Sequence, residues 1–323
     1  MRAAIGTAAL ALVALIAAGC FGGGSTPSPE GPGLILYRDS VTGALTVSDP
    51  DGEERRALRL NAAPTEPLAT ACDRDGRRLV YALGDEVTDQ SYLYILGEGA
   101  SDEPTRLDGV VRNLSLSPDG ERLALSRIEP GTARSNLYLM DVAGGELTML
   151  PSPQGTTTGP PSWSPDGERL VYSTYLDGRF ALYVLDIDGG EEVRLTKEEL
   201  PERDPDWSPD GETLIFVSAA GDNARQLFTS DAGGANKQQL TESTTLKATP
   251  RWSLDGSLIA FAGTVPQSEL GVSTDASLAH NLGVWIAAPD GSDERLTTDL
   301  ALDAQLMGWC RQGPWLNDLW EAQ

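Results

Sequence analysis

One short phrase, Trp-Ser-Pro-Asp-Gly, recurs along this chain at a nearly constant spacing. It is complete at 163–167 and 207–211, and variants of it stand at 252–256, 116–120 and 71–76. Measured between the glycines at 76, 120, 167, 211 and 256, the steps are 44, 47, 44 and 45 residues. A period of this length predicts repeated supersecondary units that stack on one another, because a single unit is too small to bury a core alone.

The residues after each phrase predict β-strands. A first apolar run, rich in β-branched and aromatic residues, occupies 78–83, 122–126, 169–173, 213–218 and 258–262. A second run occupies 92–95, 137–140, 181–185, 226–229 and 284–287, and a Gly-rich turn with a short closing strand ends most units. With the strand before each phrase, every unit has four strands, which is the composition of a β-propeller blade.

The phrase itself has the chemistry of a tight turn. Proline presets φ for the first central position of a type I turn, aspartate is tolerated next, and glycine suits the last position. We therefore expect the phrase to join the first and second strands of each blade, with its aspartates organising the turn through hydrogen bonds to the backbone.

The two ends of the chain supply one further blade. Residues 34–58 contain three strand-like runs without a first strand, and 306–313 align with the phrase at 252–256 at an offset of 57 residues. The longer step reflects an insertion near 264–281, which is expected to be an exposed loop. The sequence thus predicts an all-β, six-bladed propeller of four-stranded antiparallel blades, closed by N- and C-terminal strands that share one blade.

The extended pattern Pro-x-Trp-Ser-Pro-Asp-Gly-x-x-Leu-x-[Phe/Tyr]-x-Ser, at 161–173 and 205–218, resembles the TolB-type, WD-like propeller repeat. The resemblance covers about residues 34–313. Such repeats occur in periplasmic scaffold proteins and in the non-catalytic propellers of dipeptidyl-peptidase-like enzymes. A stand-alone propeller is expected here, because the sequence shows neither a following hydrolase domain nor the additional N-terminal domain of true TolB. The resemblance also implies that partners bind at the mouth of the central channel.

The N-terminus has the parts of a bacterial export signal: Arg2, an apolar run over 3–18, and Gly19 before Cys20. The stretch Ala-Ala-Gly-Cys resembles a lipobox, which implies cleavage before Cys20 and lipidation of its thiol. The alternative is an ordinary signal peptide or anchor with a chance cysteine. The expected domains are a lipoprotein signal at 1–19, a flexible Gly/Ser/Pro tether at 20–33 and the propeller at 34–323. The expected location is extracytoplasmic, anchored to the cell membrane or outer membrane.

The chain carries 24 Lys and Arg against 48 Asp and Glu, a formal net charge of −24. Nucleic-acid binding is disfavoured, because phosphate contacts need basic surface. Adhesion to anionic lipid is disfavoured for the same reason. The expected partner is an envelope protein or peptide, the membrane is reached through the lipid alone, and the propeller is expected to be a monomer.

Beyond Cys20, two cysteines remain, Cys72 and Cys310. We interpret both as replacing the serine of the phrase, in blades that are neighbours in the ring. In an exported protein this pair could form a disulfide that fastens the closing strand to the next blade. Two buried free thiols are the alternative.

Catalytic motifs are missing from the sequence. It has one histidine, His280, and no HExxH, Cys-x-x-Cys, Gly-x-Ser-x-Gly or Walker motif. We expect no catalytic residues, no metal site and no cofactor, with a divalent cation such as calcium as the remaining alternative. The recurring tryptophans are interpreted as packing between blades.

The residues just before each phrase are expected to surround one mouth of the channel. They include three cations in an otherwise acidic chain. The partner-binding candidates are Arg112, Asn113, Arg203, Asp204, Lys247, Thr249 and Gln305. The sequence therefore favours a lipid-anchored propeller that binds a protein or ligand at this mouth. A channel-based lyase, cyclase or hydrolase and a purely structural envelope component are the alternatives.

Overall fold

Twenty-four β-strands, arranged in six separate four-stranded antiparallel sheets, make up the described regular structure. The computed structural model describes residues 31–39, 44–58, 60, 67–85, 88–101, 103–151, 156–196, 200–220, 224–243, 245–265, 282–297 and 305–311. The predicted signal, most of the tether, Cys20, His280 and most of the predicted insertion lie outside these ranges.

The sheets are the blades, and their strands are numbered in chain order. Blade 1 contains Gln305–Cys310 (β24), Leu34–Arg38 (β1), Leu45–Ser48 (β2) and Arg55–Ala57 (β3). Blade 2 contains Pro67–Cys72 (β4), Arg78–Asp85 (β5), Gln90–Gly97 (β6) and Thr105–Asp108 (β7). Blade 3 contains Val110–Leu116 (β8), Arg122–Ile128 (β9), Ser135–Asp141 (β10) and Thr148–Met149 (β11).

The other three blades repeat this order. Blade 4 contains Thr156–Trp163 (β12), Arg169–Leu176 (β13), Arg179–Asp186 (β14) and Glu192–Arg194 (β15). Blade 5 contains Glu202–Trp207 (β16), Thr213–Ala220 (β17), Ala224–Asp231 (β18) and Gln238–Gln239 (β19). Blade 6 contains Lys247–Trp252 (β20), Ile259–Thr264 (β21), Leu282–Ala287 (β22) and Arg295–Leu296 (β23).

The first strands of the blades surround a central channel. Each of β4, β8, β12, β16, β20 and β24 contacts the first strand of the next blade, and β24 contacts β4, so the ring is closed. In blade 1, β24 pairs antiparallel with β1. The predicted six-bladed propeller with a shared terminal blade is therefore confirmed, and closure leaves no wide unpaired sheet edge between the two ends.

The core lies between the faces of adjacent blades. For example, Val80 and Leu93 of blade 2 pack in one buried cluster with Leu125 and Tyr138 of blade 3. Within several blades an aromatic pair also bridges the second and third strands, as Tyr81 does with Tyr94 at 4.9 Å between ring centroids. Because the faces pack on each other, most strand positions are buried and side-chain alternation along the strands is weak.

The Ser-Pro-Asp-Gly turns are held by one repeated set of hydrogen bonds. In blade 4 the Ser164 hydroxyl donates to Asp166 Oδ1 at 2.5 Å, and that oxygen accepts the amide N–H of Glu168 at 3.0 Å. The amide of Arg169 donates to Ser164 Oγ at 2.9 Å, and the amide of Gly167 donates to the Ser164 carbonyl at 2.9 Å. The aspartates thus organise the turns, as the sequence predicts.

Arginines from one blade hold the turn of the next. The Arg122 guanidinium lies 5.0 Å from the ring centroid of Trp163 and donates to the Gly167 carbonyl at 2.7 Å. Arg169 stands over Trp207 at 4.9 Å in the following pair of blades. Trp163 and Trp207 therefore pack between blades, and an arginine covers one face of each ring.

Candidate functional site: the central channel

The inner strands are irregular where they face the channel. In every blade the ladder between the first and second strands contains a register shift. In blades 4, 5 and 6 the shift coincides with a residue of positive φ followed by proline: Gly159 at 70°, Asp204 at 54° and Thr249 at 45°. Proline cannot donate to a ladder, so a bulge is the place in a strand that tolerates it.

Positive φ is unusual for the residues that occupy two of these bulges. Thr249 is β-branched, and its conformation is strained because Cβ crowds the backbone at φ above zero. At Gly159 a Cβ atom would lie 2.4 Å from Asp204 Oδ1, so the neighbouring blade requires glycine there. Rigid, strained backbone therefore surrounds this part of the channel.

The bulges open towards one end of the channel, which we name the bulge-side mouth: Ala69, Arg112, Asn113, Thr249 and Leu306 line a cavity of about 40 Å³ there. The structure thus brings together three of the partner-binding candidates, Arg112, Asn113 and Thr249. Arg112 is exposed, and the Asn113 side-chain amide donates to Ser126 Oγ at 2.8 Å. Gln305 begins β24 beside Arg38, and its side chain lies outside the described part.

Lys247 does not belong to the exposed rim, contrary to the sequence interpretation. Its side chain is fully buried, its ammonium donates to Thr245 Oγ1 at 2.6 Å, and it pairs with Glu294. The Nζ atom also stands over the rings of Phe261 and Trp285, at 4.8 and 5.5 Å from their centroids. Burial lowers the pKa of Lys247, while the bond to Glu294 works in the opposite direction. The long aliphatic stem carries the charge across the sheet face instead of outward.

Blade 5 contains an equivalent ion pair in which the positions of the acid and the base are exchanged. Glu202, five residues before Trp207 as Lys247 is before Trp252, accepts from Lys237 Nζ at 2.5 Å. That ammonium lies 4.8 Å from the centroid of Phe228. The equivalence indicates that both pairs connect the inner strand to the outer hairpin of their own blade, and neither presents charge to a partner.

Asp204 is also removed from the rim, and Arg203 is only partly available. Asp204 is 8% exposed and its Oδ2 accepts the amide N–H of Thr249 at 3.4 Å, so it connects two blades. Burial raises the pKa of Asp204, against the opposing charge of Arg251 and the hydrogen bond from Thr249. The Arg203 guanidinium lies 4.2 Å from the ring centroid of Phe180 and is half-buried.

Deeper in the channel, polar side chains link three consecutive inner strands. The Ser162 hydroxyl donates to Asp206 Oδ1 at 2.7 Å, and the amide of Trp252 donates to Asp206 Oδ2 at 2.8 Å. Burial raises the pKa of Asp206, while Arg251, these hydrogen bonds and Arg74 act to lower it. This link between blades 4, 5 and 6 was not foreseen, because single polar residues on different strands carry no sequence signal.

The opposite end, named the turn-side end, is formed by the residues of the Ser-Pro-Asp-Gly turns. A cavity of about 140 Å³ there is lined by Arg74, Asp206 and Arg251, with tryptophans from the inner strands. Pro118, Pro209 and Leu254 line it from the proline position of their phrases, and Arg74 holds that position in blade 2. The replacement of proline by arginine was the available sequence signal, and sequence reasoning missed it.

Cys72 and Cys310 form a disulfide, with Cα atoms 5.5 Å apart. The interpretation that both replace the serine of the phrase is wrong for Cys72. Cys72 pairs with Leu79 as Trp207 pairs with Leu214, so it holds the tryptophan position. The serine position belongs to Asp73, whose Oδ1 accepts the amide N–H groups of Arg77 and Arg78 at 2.7 and 3.1 Å.

The described residues contain no group of three or more His, Cys, Asp or Glu that could hold a metal ion. Two acidic segments with Asp-x-Asp-Gly sequences, 49–52 and 186–192, form turns: Asp51 pairs with Arg295 at 2.8 Å, and Asp186 accepts from the Gly189 amide. None of the described residues belongs to a helix with the length and apolarity that a membrane crossing requires.

A closed ring of six blades surrounds a central channel, and four of the blades contain a Ser-Asp turn between their first and second strands. This architecture defines the chain as a six-bladed β-propeller with two chemically different channel ends. A family model described as the TolB beta propeller domain matches residues 36–225 and, in an overlapping match, 152–280. The chain belongs to the TolB β-propeller domain family.

Known proteins support this family and fold. An uncharacterised protein of Agrobacterium fabrum is 33% identical over 120 residues, which are 34% of this chain and 38% of that protein. A TolB homologue of Chlorobaculum tepidum is 28% identical over 193 residues, 58% of this chain and 44% of the homologue. These matches span less than half of either relative. The crystal structure of TolB from Acinetobacter baumannii shares the fold, with a TM-score of 0.68, 20% identity, and coverage of 86% of this chain and 67% of that one.

Proposed function

We propose that this protein is a lipid-anchored, extracytoplasmic propeller that binds another envelope protein or peptide at the bulge-side mouth of its channel. The observation that carries the proposal is the mouth itself, where an exposed arginine, Arg112, stands beside the strained backbone of Thr249. Membership of the TolB propeller family is consistent with a protein-interaction module.

Strain at this mouth supports a binding role. Positive φ at Thr249 costs free energy, and such conformations persist where the surrounding structure holds a surface in one shape. A preformed surface loses little conformational entropy when a partner binds. Arg112 contributes a planar set of donors, and arginine is enriched at protein interfaces.

Pull-down with the native, full-length protein tests the contact surface. Arg112→Glu reverses the charge at the mouth and leaves the blades intact, because this side chain is exposed. Arg106→Glu is the matched control, since Arg106 is 61% exposed on the outer strand β7. We expect the partners recovered with the native protein to be lost with Arg112→Glu and kept with Arg106→Glu, as identified by mass spectrometry. Equal recovery with both variants contradicts the proposal.

The anchor is tested separately. Lipidation at Cys20 predicts incorporation of labelled palmitate into the native protein and its recovery in the membrane fraction. Cys20→Ala should remove the label and release the propeller into the soluble extracytoplasmic fraction. An unlabelled native protein, or a variant that stays in the membrane fraction, contradicts lipid anchoring without affecting the contact surface.

A further inference from the structure

We propose that the turn-side end of the channel binds a single carboxylate group between the guanidinium groups of Arg74 and Arg251. This site lies at the other end of the channel from Arg112. It is therefore independent of the contact surface proposed above, and either proposal can fail alone.

Arg74 is the first element of the site. It takes the place of proline in the turn of blade 2 and lines the 140 Å³ cavity, where it is partly buried. Its side chain makes no hydrogen bond to any other residue that the structure describes. Burial lowers the pKa of Arg74, and only the charge of Asp206 offsets this effect. A guanidinium that has lost water without gaining a hydrogen-bond acceptor favours an incoming one.

Arg251 supplies the second cation and is held in place by its own backbone surroundings. Its Nη1 donates to the carbonyl of Pro250 at 2.7 Å and to that of Pro205 at 3.4 Å. Within the described ranges, its Nε and Nη2 make no hydrogen bond. Arg251 thus presents free donors from a fixed position, which is the arrangement that bidentate carboxylate recognition requires.

The charges of the site select a singly charged anion. Asp206 also lines the cavity, but both of its oxygens already accept hydrogen bonds, from Ser162 and from the amide of Trp252. Among the charged side chains that line the cavity, two guanidinium groups and one carboxylate leave one surplus positive charge; Asp204 also interacts with the charge of Arg251 but does not line the cavity. A carboxylate neutralises this surplus, whereas a doubly charged phosphate exceeds it and approaches Asp206 as a like charge.

The size and lining of the cavity restrict how the carboxylate arrives. Its volume of about 140 Å³ is close to that of an engineered apolar cavity of roughly 150 Å³ that accepts benzene. It therefore has room for an acidic side chain or a chain-terminal carboxylate. Four tryptophan residues also line the cavity and supply apolar contact for the methylene groups of such a ligand: Trp163, Trp207, Trp252 and Trp309.

Calorimetric titration of the full-length protein at low ionic strength tests the proposal, with tryptophan fluorescence as a second readout. The probes are N-acetylaspartate N-methylamide for a side-chain carboxylate, N-acetylalanine for a terminal carboxylate, the neutral N-acetylasparagine N-methylamide, and inorganic phosphate. We expect saturable binding of at least one carboxylate probe, and the better one identifies the source. The neutral amide should not bind.

Variants place the binding at Arg74. Arg74→Gln should raise the Kd of the carboxylate probe at least tenfold, Arg74→Lys should weaken binding less, and the distant Arg106→Gln should have no effect. Arg74→Pro restores the residue usual in this turn and serves if Arg74→Gln does not fold. The proposal is overturned if no carboxylate binds, if phosphate binds more tightly, or if the folded Arg74 variants bind as the native protein does.

Discussion

Cys72 and Cys310 stand 238 positions apart in the chain and are joined by a disulfide, with 5.5 Å between their Cα atoms. Cys310 ends β24, the strand that completes blade 1, and Cys72 ends the inner strand of blade 2. The bond therefore fastens the closing strand of the ring to its neighbour. Hydrogen bonds with β1 hold the same strand from the other side.

A thiol count on a variant that begins at residue 21, and therefore contains only Cys72 and Cys310 as cysteines, tests this bond. We expect no reactive thiol in the denatured, unreduced protein and two after reduction. Finding two thiols before reduction would eliminate the disulfide. Replacing both cysteines by alanine should lower the free energy of unfolding by about 2–5 kcal/mol, because the bond restricts a long loop in the unfolded chain.

The turn aspartates predict acid sensitivity. Burial alone would raise the pKa values of Asp119, Asp166 and Asp255, but hydrogen bonds from serine hydroxyls and backbone amides outweigh it and lower them. A depressed folded pKa stabilises the protein above the unfolded value, about 3.9, and this stabilisation is lost as the pH falls through the folded pKa. Asp204 and Asp206 act in the opposite sense, since their pKa values are raised.

The contribution of one turn is measured by comparing Asp166→Asn with the native protein in chemical unfolding between pH 7 and pH 3. We expect the variant to be less stable at pH 7. The difference should shrink as the pH falls through the folded pKa of Asp166, which lies below the ordinary aspartate value, because the protonated side chain no longer provides the stabilising charge. Asp108→Asn, with a 71% exposed side chain, is the control. A difference that is independent of pH would show that the charge of Asp166 does not hold the turn.

The close approach of blades 4 and 5 predicts a penalty at Gly159. Gly159→Ala places Cβ against Asp204 Oδ1 and also forces alanine into positive φ. Gly178→Ala shares the positive φ, 81°, but its Cβ meets nothing within 4 Å. In denaturant unfolding, the control Gly178→Ala should lower the free energy of unfolding by about 1 kcal/mol. Gly159→Ala should lower it by about 1–3 kcal/mol more. Equal losses would mean that the blades can separate at no cost.

Arginine contacts between blades predict a fourth stability effect. Arg122→Ala removes both the contact with the Trp163 ring and the hydrogen bond to the Gly167 carbonyl. We expect Arg122→Ala to lower the free energy of unfolding by about 1–3 kcal/mol, because both interactions are lost. The stability of Arg122→Lys should lie between those of Arg122→Ala and the native protein. Arg106→Ala should stay within about 0.5 kcal/mol, as is usual for exposed positions. If both arginines behave alike, these contacts contribute nothing to stability.

The architecture was predictable because it depends on a repeated local signal. Each copy of the repeated turn, whether Ser-Pro-Asp-Gly or a variant of it, indicates the same connection between two strands. Five copies determine both the blade length and the missing strand in blade 1. Turn chemistry acts over four residues, so it survives in the sequence without knowledge of distant contacts.

The channel was predictable only in part, because bulges interrupt the alternation of side chains. The alternation of side chains along a regular strand does not predict which way Lys247 faces relative to Trp252, because the register shifts between Ala248 and Arg251. The corresponding bulge of blade 5 contains Asp204, which is buried. Predicting Arg74 as a channel residue required the knowledge that proline positions of the turns line the channel. That placement follows from the closed ring and not from any one repeat.

The shared blade also has a consequence for the order of assembly. During synthesis, residues 34–57 emerge early, yet β1 has no inner neighbour until 305–310 have been made. The other five blades pair strands that are close in the sequence. The pairing of β1 with β24 instead joins segments from the two ends of the chain, and such long-range contacts form slowly. A chain that stops before residue 305 lacks β24 and therefore keeps an unpaired edge on β1. Closure of blade 1 thus separates chains that contain the C-terminal strand from truncated ones.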